Sequence, residues 1–394
     1  MKRVPTLVRT AKTAATVTAA MAAFAIPAAS ASATATATAA PRTGATGTGA
    51  GTEGPVFVQT DNTAGNEIVA YRRSADGSLH QQGTFPTGGD GGILDGSVVD
   101  HLASQHSLTY DGDHHLLFAV NAGSDTVTVF SVDGDRLHRE QVITSGGTFP
   151  VSVTVHKDGV YVLNARDGGS IQGYRITEGK RLQRVADWNR QLHLDTATAP
   201  EFTHTPAQVS FTPDGSQLVV TTKLGGSSID VFGLGPSGAP SARPTVNTQE
   251  TRQPFGFTFD GQGRLIVTDG VNNAVLTFRL QPDGTTVQLD DAPTGQTATC
   301  WVVRAGDHFY ASNAGSSTLS GFRQRRASLE PLGNTPTGTG TVDAAVTPDD
   351  HFLYVQTGGA GAVDAFRVGA DGSLTPVGTV TVPDAVGGEG IVAL

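Results

Sequence analysis

The sequence predicts an all-β fold: a seven-bladed β-propeller with four-stranded blades, its ring closed by the C-terminal strand. Three observations lead there. A short apolar strand, a Gly/Asn-rich turn and a second strand ending near an aromatic recur seven times, from Val56, Leu117, Val160, Leu218, Leu265, Phe309 and Leu353. Self-similarity at roughly 40 to 60 residues marks units that each expose a face only a neighbour can cover. The first unit lacks an upstream strand, while the final residues GGEGIVAL resemble an upstream strand with nothing after it. Joining the two closes the ring and removes the sheet edge between first and last blades.

The elements follow in order along the chain. Lys2, Arg3, Arg9 and Lys12 form a basic head before an Ala-rich apolar stretch from about Ala14 to Ala29, followed by Ala-Ser-Ala twice. This pattern reads as a secretory signal peptide over residues 1–33, cleaved near Ala31 or Ala33. The apolar run is short and broken by Pro27, which argues against a membrane span in the mature protein. Residues 34–54 alternate Thr, Ala and Gly, too little apolar surface to offset ordering, and read as a disordered spacer. Residues 55–394 are even in composition and form the propeller. Within each unit an upstream stretch such as AQVSFTPDG from Ala207 or PFGFTFDGQG from Pro254 provides the inner strand. A weaker stretch such as LTPVGTVTV provides the outer one. Runs such as LLFAV and LIVT are apolar throughout, as strands covered on both faces require.

Blade topology places the functional face. If inner strands run from one face and second strands return to it, their ends ring the channel mouth. That ring holds Asn121, Asn164, Thr222, Asp269, Asn313 and Thr357 from second strands, and His106, Gln208, Trp301, Asp343 and Glu389 from inner-strand starts, with His204 just before one. Asn and Gly also suit tight turns on their own account, so each Asn has a purely structural reading. Together they offer polar groups in a concavity suited to a small-molecule ligand.

Several chemistries lack their signatures. There is no Gly-x-Ser-x-Gly elbow, no His-Glu-x-x-His and no close His/Cys cluster. Asp-Gly-Asp at Asp111 and Asp133 lacks the remaining ligands of a calcium loop, so no metal and no cofactor is expected. His114 and His115 follow one of these turns and read as solvated. Cys300 is the only cysteine; it excludes an intramolecular disulfide and, in its apolar run, reads as a buried inert thiol. The formal net charge of −10 disfavours nucleic acid and anionic membrane as partners. A monomer is expected.

The blade LLFAVNAGSDTVTVF, the strand PVSVTVHKDGVYVLN, TPAQVSFTPDG, PFGFTFD, TATCWVV and the closing FRVGADGSLTPVG are together similar to the seven-bladed lactonase-type propeller family. That family includes 6-phosphogluconolactonases, carboxymuconate-cyclising enzymes and secreted bacterial relatives, and the resemblance spans residues 55–394. It implies a lactonase or cycloisomerase-like activity. The family's Pro-His and Gly-Pro-Arg-His segments are here Thr205-Pro206-Ala207-Gln208 and Gln253-Pro254-Phe255-Gly256, and Thr222-Lys223 stands where an acid is expected.

Two functions follow. As a lactone hydrolase, the protein would draw its base from Asp269, Glu389, His106 or His204 and stabilise charge with Lys223 or Arg252. Asn121, Asn164, Gln208, Trp301, Asn313 and Asp343 would bind substrate. As a non-catalytic module, it would resemble surface-layer propellers through NAGSDTVTVF and NAGSSTLSGF, binding a ligand or protein.

Overall fold

Seven antiparallel sheets of four strands each account for nearly all the regular structure in the computed structural model, which describes residues 51–196 and 198–394. The segments expected to form a signal peptide and most of the spacer lie outside the described residues. The innermost strands, from first blade to seventh, are Ile391–Ala393, Leu108–Asp111, Pro150–His156, Gln208–Phe211, Pro254–Phe259, Thr299–Ala305 and Thr341–Val346. They touch one another in cyclic order, the seventh against the first. The architecture is the propeller that the repeat predicts, and the closure is as expected. Ile391–Ala393 pairs antiparallel with the second strand of the first blade, Val58 opposite Ile391 and Val56 opposite Ala393.

Burial follows strand position. The inner three strands of a blade are covered on both faces by adjacent blades, so runs such as Leu116–Asn121 and Phe352–Thr357 are buried at every residue. Outer strands such as Leu79–Pro86 bury few residues and carry the polar surface. Adjacent blades are also tied by hydrogen bonds that recur with the repeat. Tyr161, Tyr310 and Tyr354 occupy the same place in their second strands, in VYVLN, FYASN and LYVQT. Their hydroxyls donate to the carbonyls of Gly238, Gly372 and Gly77 in an outer turn of the next blade, at 2.6, 2.9 and 2.8 Å. A buried phenol needs such a partner. Gly372 sits at φ +84 with the His308 ring 2.4 Å from where a Cβ would stand, so only glycine suits that turn.

Two histidine and cysteine expectations are refined. His114 is not simply solvated: its Nδ1 lies 2.6 Å from Asp111 and its Nε2 3.2 Å from Asp158, joining second and third blades. The Asp111 hydrogen bond holds the imidazole above its ordinary pKa. Burial pushes the Cys300 thiol up to about 12, which removes it as a nucleophile at neutral pH. No helix among the described residues is long and apolar enough to cross a membrane.

Closure predicts a specific weakness. Ile391 is buried in the cluster that joins seventh and first blades. Ile391→Ala is expected to reduce the unfolding free energy by about 2–5 kcal/mol, measured by denaturant titration. A loss under about 0.5 kcal/mol, the level of an ordinary surface substitution, would contradict a ring held by this strand.

Candidate active site at the channel mouth

Pairing registers put inner-strand starts beside second-strand ends: Pro254 opposite Asp269, Thr299 opposite Asn313, Thr341 opposite Thr357. The ring of polar groups therefore exists, but the mouth is not an open bowl. The connection between first and second blades, residues 87–107, crosses it, and residues 100–107 form a strap inside. Within the strap, Ser104 Oγ donates to the Val151 carbonyl of the third blade at 2.8 Å and Gln105 N to Ala207 beside the fourth at 3.2 Å. Gln105 Nε2 donates to Val302 of the sixth at 2.9 Å, and His101 N to Gly387 at 2.8 Å. Leu94 and Leu102 bury completely among Phe149, Val151, Phe255 and Trp301, which is why the connection sinks rather than loops outward. Val155, Ser210, Thr258, Val303 and Val346, in the distal halves of the inner strands, are partly exposed.

Around the strap the structure gathers six of the candidate residues. Lys223 is fully buried. Its Nζ donates to the carbonyls of Ala103 (2.7 Å) and Phe202 (2.6 Å) and lies 5.2 Å from the Phe255 ring. Burial pulls its pKa down to about 7, against the attraction of Asp100. Trp301 Nε1 donates to the next strap carbonyl, Ser104, at 2.6 Å. Gln208 uses its amide as a bridge between inner strands: Oε1 accepts from Phe257 N (2.6 Å) and Nε2 donates to the Phe257 carbonyl (2.9 Å). Its other N–H reaches His106 Nδ1 at 3.2 Å, which leaves the imidazole proton on Nε2. Burial holds His106 down at about 4, so it is neutral at pH 7.

Glu389 and Asp343 complete the six. Both are buried and lie close enough to interact, and burial raises both above the ordinary carboxyl range. Glu389 Oε1 accepts from Ser107 N and Oε2 from Ser104 Oγ, each at 3.4 Å. Two further acids, Asp61 and Asp100, join them. Asp61 accepts from Glu389 N (2.8 Å) and Gln59 Nε2 (2.6 Å), and burial raises it to about 8. Asp100 accepts from the amides of Leu102, Ala103 and Ser104, all at 2.9 Å, folding the strap around its carboxyl. Burial lifts it to about 7. Asp61 looks like a turn residue in sequence; Asp100 had one available signal, the apolar Leu94 and Leu102 flanking it within a long connection.

The remaining candidates lie apart from this group. Asp269 is buried, and its oxygens accept from Gln253 N, Val271 N, Asn272 N, Asn272 Nδ2 and Arg252 Nη1. Arg252 is held in turn by Asp291 at 2.7 Å. This is a saturated turn clamp. Asn121 and Asn313 fasten the following hairpins through Thr126, Thr128, Thr318 and Ser320, and Asn164 contacts Ser145 and Ser170. His204 sits in the helical turn Glu201–His204 above the mouth, its Nδ1 against the Pro200 carbonyl at 3.1 Å. Among the described residues, no cluster of three or more His, Cys, Asp or Glu could hold a metal ion.

Residues 97–388 match the family model described as Lactonase, 7-bladed beta-propeller. The chain belongs to this lactonase family. It is 26% identical over 242 residues to a 6-phosphogluconolactonase of Serratia proteamaculans, across 52% of this chain and 71% of that protein. Its fold is similar to that of a Lactobacillus plantarum protein (TM-score 0.69, 20% identity, 87% of this chain and 100% of that one). It is also similar to the periplasmic gluconolactonase of Pseudomonas aeruginosa (TM-score 0.68, 17% identity, 87% and 99%). The matched region of the lactonase family includes the strap and ends one residue before Glu389.

The acid cluster fixes a pH dependence. Carboxyls raised on folding bind protons more tightly in the native state, so their contribution is fully present below the unfolded value of about 4 and lost as pH rises. With Asp100 at about 7 and Asp61 at about 8, stability is expected to fall between pH 5 and pH 8. Glu389→Gln, which removes one charge from the cluster, should flatten that fall in melting temperature. An equally steep fall in the variant would show that the cluster does not govern it.

Proposed function

We propose that the protein hydrolyses a small lactone at the channel mouth, with Glu389 and Asp343 as a proton-sharing pair and Lys223 as the oxyanion-stabilising cation. One observation carries this reading: Lys223 and Trp301 meet the strap at the carbonyls of Ala103 and Ser104, while Glu389 meets it at the Ser104 hydroxyl. A base and two donors thus converge on the same two residues from different blades. Two carboxyls in contact cannot both ionise easily, so one is the carboxylate and the other the acid. The carboxylate takes a proton from water as its oxygen attacks the lactone carbonyl carbon. Lys223 and the Trp301 indole stabilise the resulting oxyanion. Collapse breaks the ring C–O bond, and the acid partner protonates the departing alkoxide, giving a hydroxy acid. The 6-phosphogluconolactonase and gluconolactonase relatives support a sugar-acid lactone. Arg252, engaged by Asp269 and Asp291, leaves no free guanidinium of its own for a phosphate, which favours an unphosphorylated one.

The filled mouth favours a second reading, a non-catalytic propeller that binds a ligand or protein, in which the buried charges only set the strap. Turnover decides between them. Across a panel of aldonolactones followed by acid release, Glu389→Gln should lower kcat about 10²–10⁴-fold. Asp269→Asn should lower the melting temperature and leave kcat near wild type, because its oxygens serve the turn and not the centre. Absence of turnover on every lactone would favour the binding module. The leader sequence supports export in either case; N-terminal sequencing of protein from the culture medium should find a start just after Ala31 or Ala33.

A further inference from the structure

The strap and the donors that grip it lead beyond the reaction class to the ligand's binding mode. We infer that the carbonyls of Ala103 and Ser104 stand in for the oxygens of a carboxylate or lactone carbonyl, and that a hydroxy-acid ligand binds Lys223 and Trp301 by displacing the strap. This rests on the proposed lactone chemistry and names how its substrate and product are held.

Three features of the geometry support it. Lys223 and Trp301 come from the fourth and sixth blades, yet their N–H groups reach consecutive carbonyls at 2.7 and 2.6 Å. Two converging donors on adjacent oxygens form the arrangement that binds a carboxylate or a developing oxyanion. The hydrogen-bond acceptors of Lys223 are neutral carbonyls, although a buried ammonium is best compensated by an anion. Finally, the backbone is strained on both sides of the contact: Lys223 has φ 47 and Ala103 has φ 47, in the left-handed region that non-glycine residues avoid. Strain held at a ligand clamp is relieved when the clamp changes occupant.

The strap is held by two apolar anchors, Leu94 in the approach to it and Leu102 within it, and by hydrogen bonds on Ala103, Ser104, Gln105, His106 and Ser107. The blades do not depend on it for strand pairing, since none of its residues belongs to a sheet. The groups facing Lys223 are Asp100 from the strap, Glu201 from the helical turn and Cys300 from the sixth blade.

Gluconate is the probe for calorimetric titration and for amide hydrogen exchange at Leu102, Ala103 and Ser104. Leu102→Ala removes one anchor and should strengthen gluconate binding about tenfold, since the closed population no longer competes as strongly. The three amides should exchange faster in that variant, and faster in the wild-type chain when gluconate is added. Lys223→Met should lose gluconate binding in both backgrounds. Leu94→Ala is the second variant should Leu102→Ala fail to fold. Unchanged affinity in a variant whose strap exchanges faster, or undiminished binding by Lys223→Met, would overturn the inference. Lactone turnover with no gluconate binding would overturn it while leaving the hydrolase reading intact; gluconate binding without turnover would do the reverse.

Discussion

Everything in this molecule depends on the pairing of Ile391–Ala393 with Val56–Val58. A propeller blade is stable only between two neighbours, so an open array would leave apolar faces uncovered at both ends. Pairing the end of the chain with its beginning removes both faces at once. Tyr354 reinforces the junction, reaching Gly77 of the first blade by the same bond that joins the third blade to the fourth and the sixth to the seventh. The closure also carries chemistry. Glu389 lies two residues before the closing strand, and its amide is held by Asp61, just after the strand it joins. The position of the central carboxyl is thus a consequence of how the ring is sealed.

Burial of ionisable groups beneath the strap is the second organising fact. Asp61, Asp100, Asp343, Glu389 and Lys223 are all essentially without exposed surface, and each is shifted toward its neutral form. A stable fold has no need of such a collection, and apolar residues of similar volume would serve packing better. Perturbed titration concentrated in one place on a lactonase-family scaffold is what acid–base chemistry requires. The strap meets part of the hydrogen-bonding demand, donating to Asp100 and Glu389 and accepting from Lys223. That explains how charged residues can persist at the centre of an otherwise well-satisfied ring.

Much of the architecture was legible in the sequence because it is periodic. The repeat gave strand positions, the turn signals gave hairpins, and the unmatched ends gave the closure. The mouth was legible as a place: Gln208, Trp301, Asp343, Glu389, His106 and Lys223 do converge there. What the sequence withheld was the state of that place. The connection after Pro86 looks like a polar, Gly-rich link, and only the tertiary burial of Leu94 and Leu102 shows that it descends into the channel. Lys223 was expected to stabilise charge and is enclosed, because the strap and the Glu201–His204 turn close over it. Asp269 and Arg252 looked available and are committed to each other, a pairing across the turn that spacing alone does not reveal.

The position of Glu389 depends on closure. Blades two to seven are each built from contiguous sequence, but the carboxyl pair needs both Asp343 of the seventh blade and the residue two before the sealing strand of the first. The acid pair therefore exists only in the closed ring, and its presence reports that the circle has been completed.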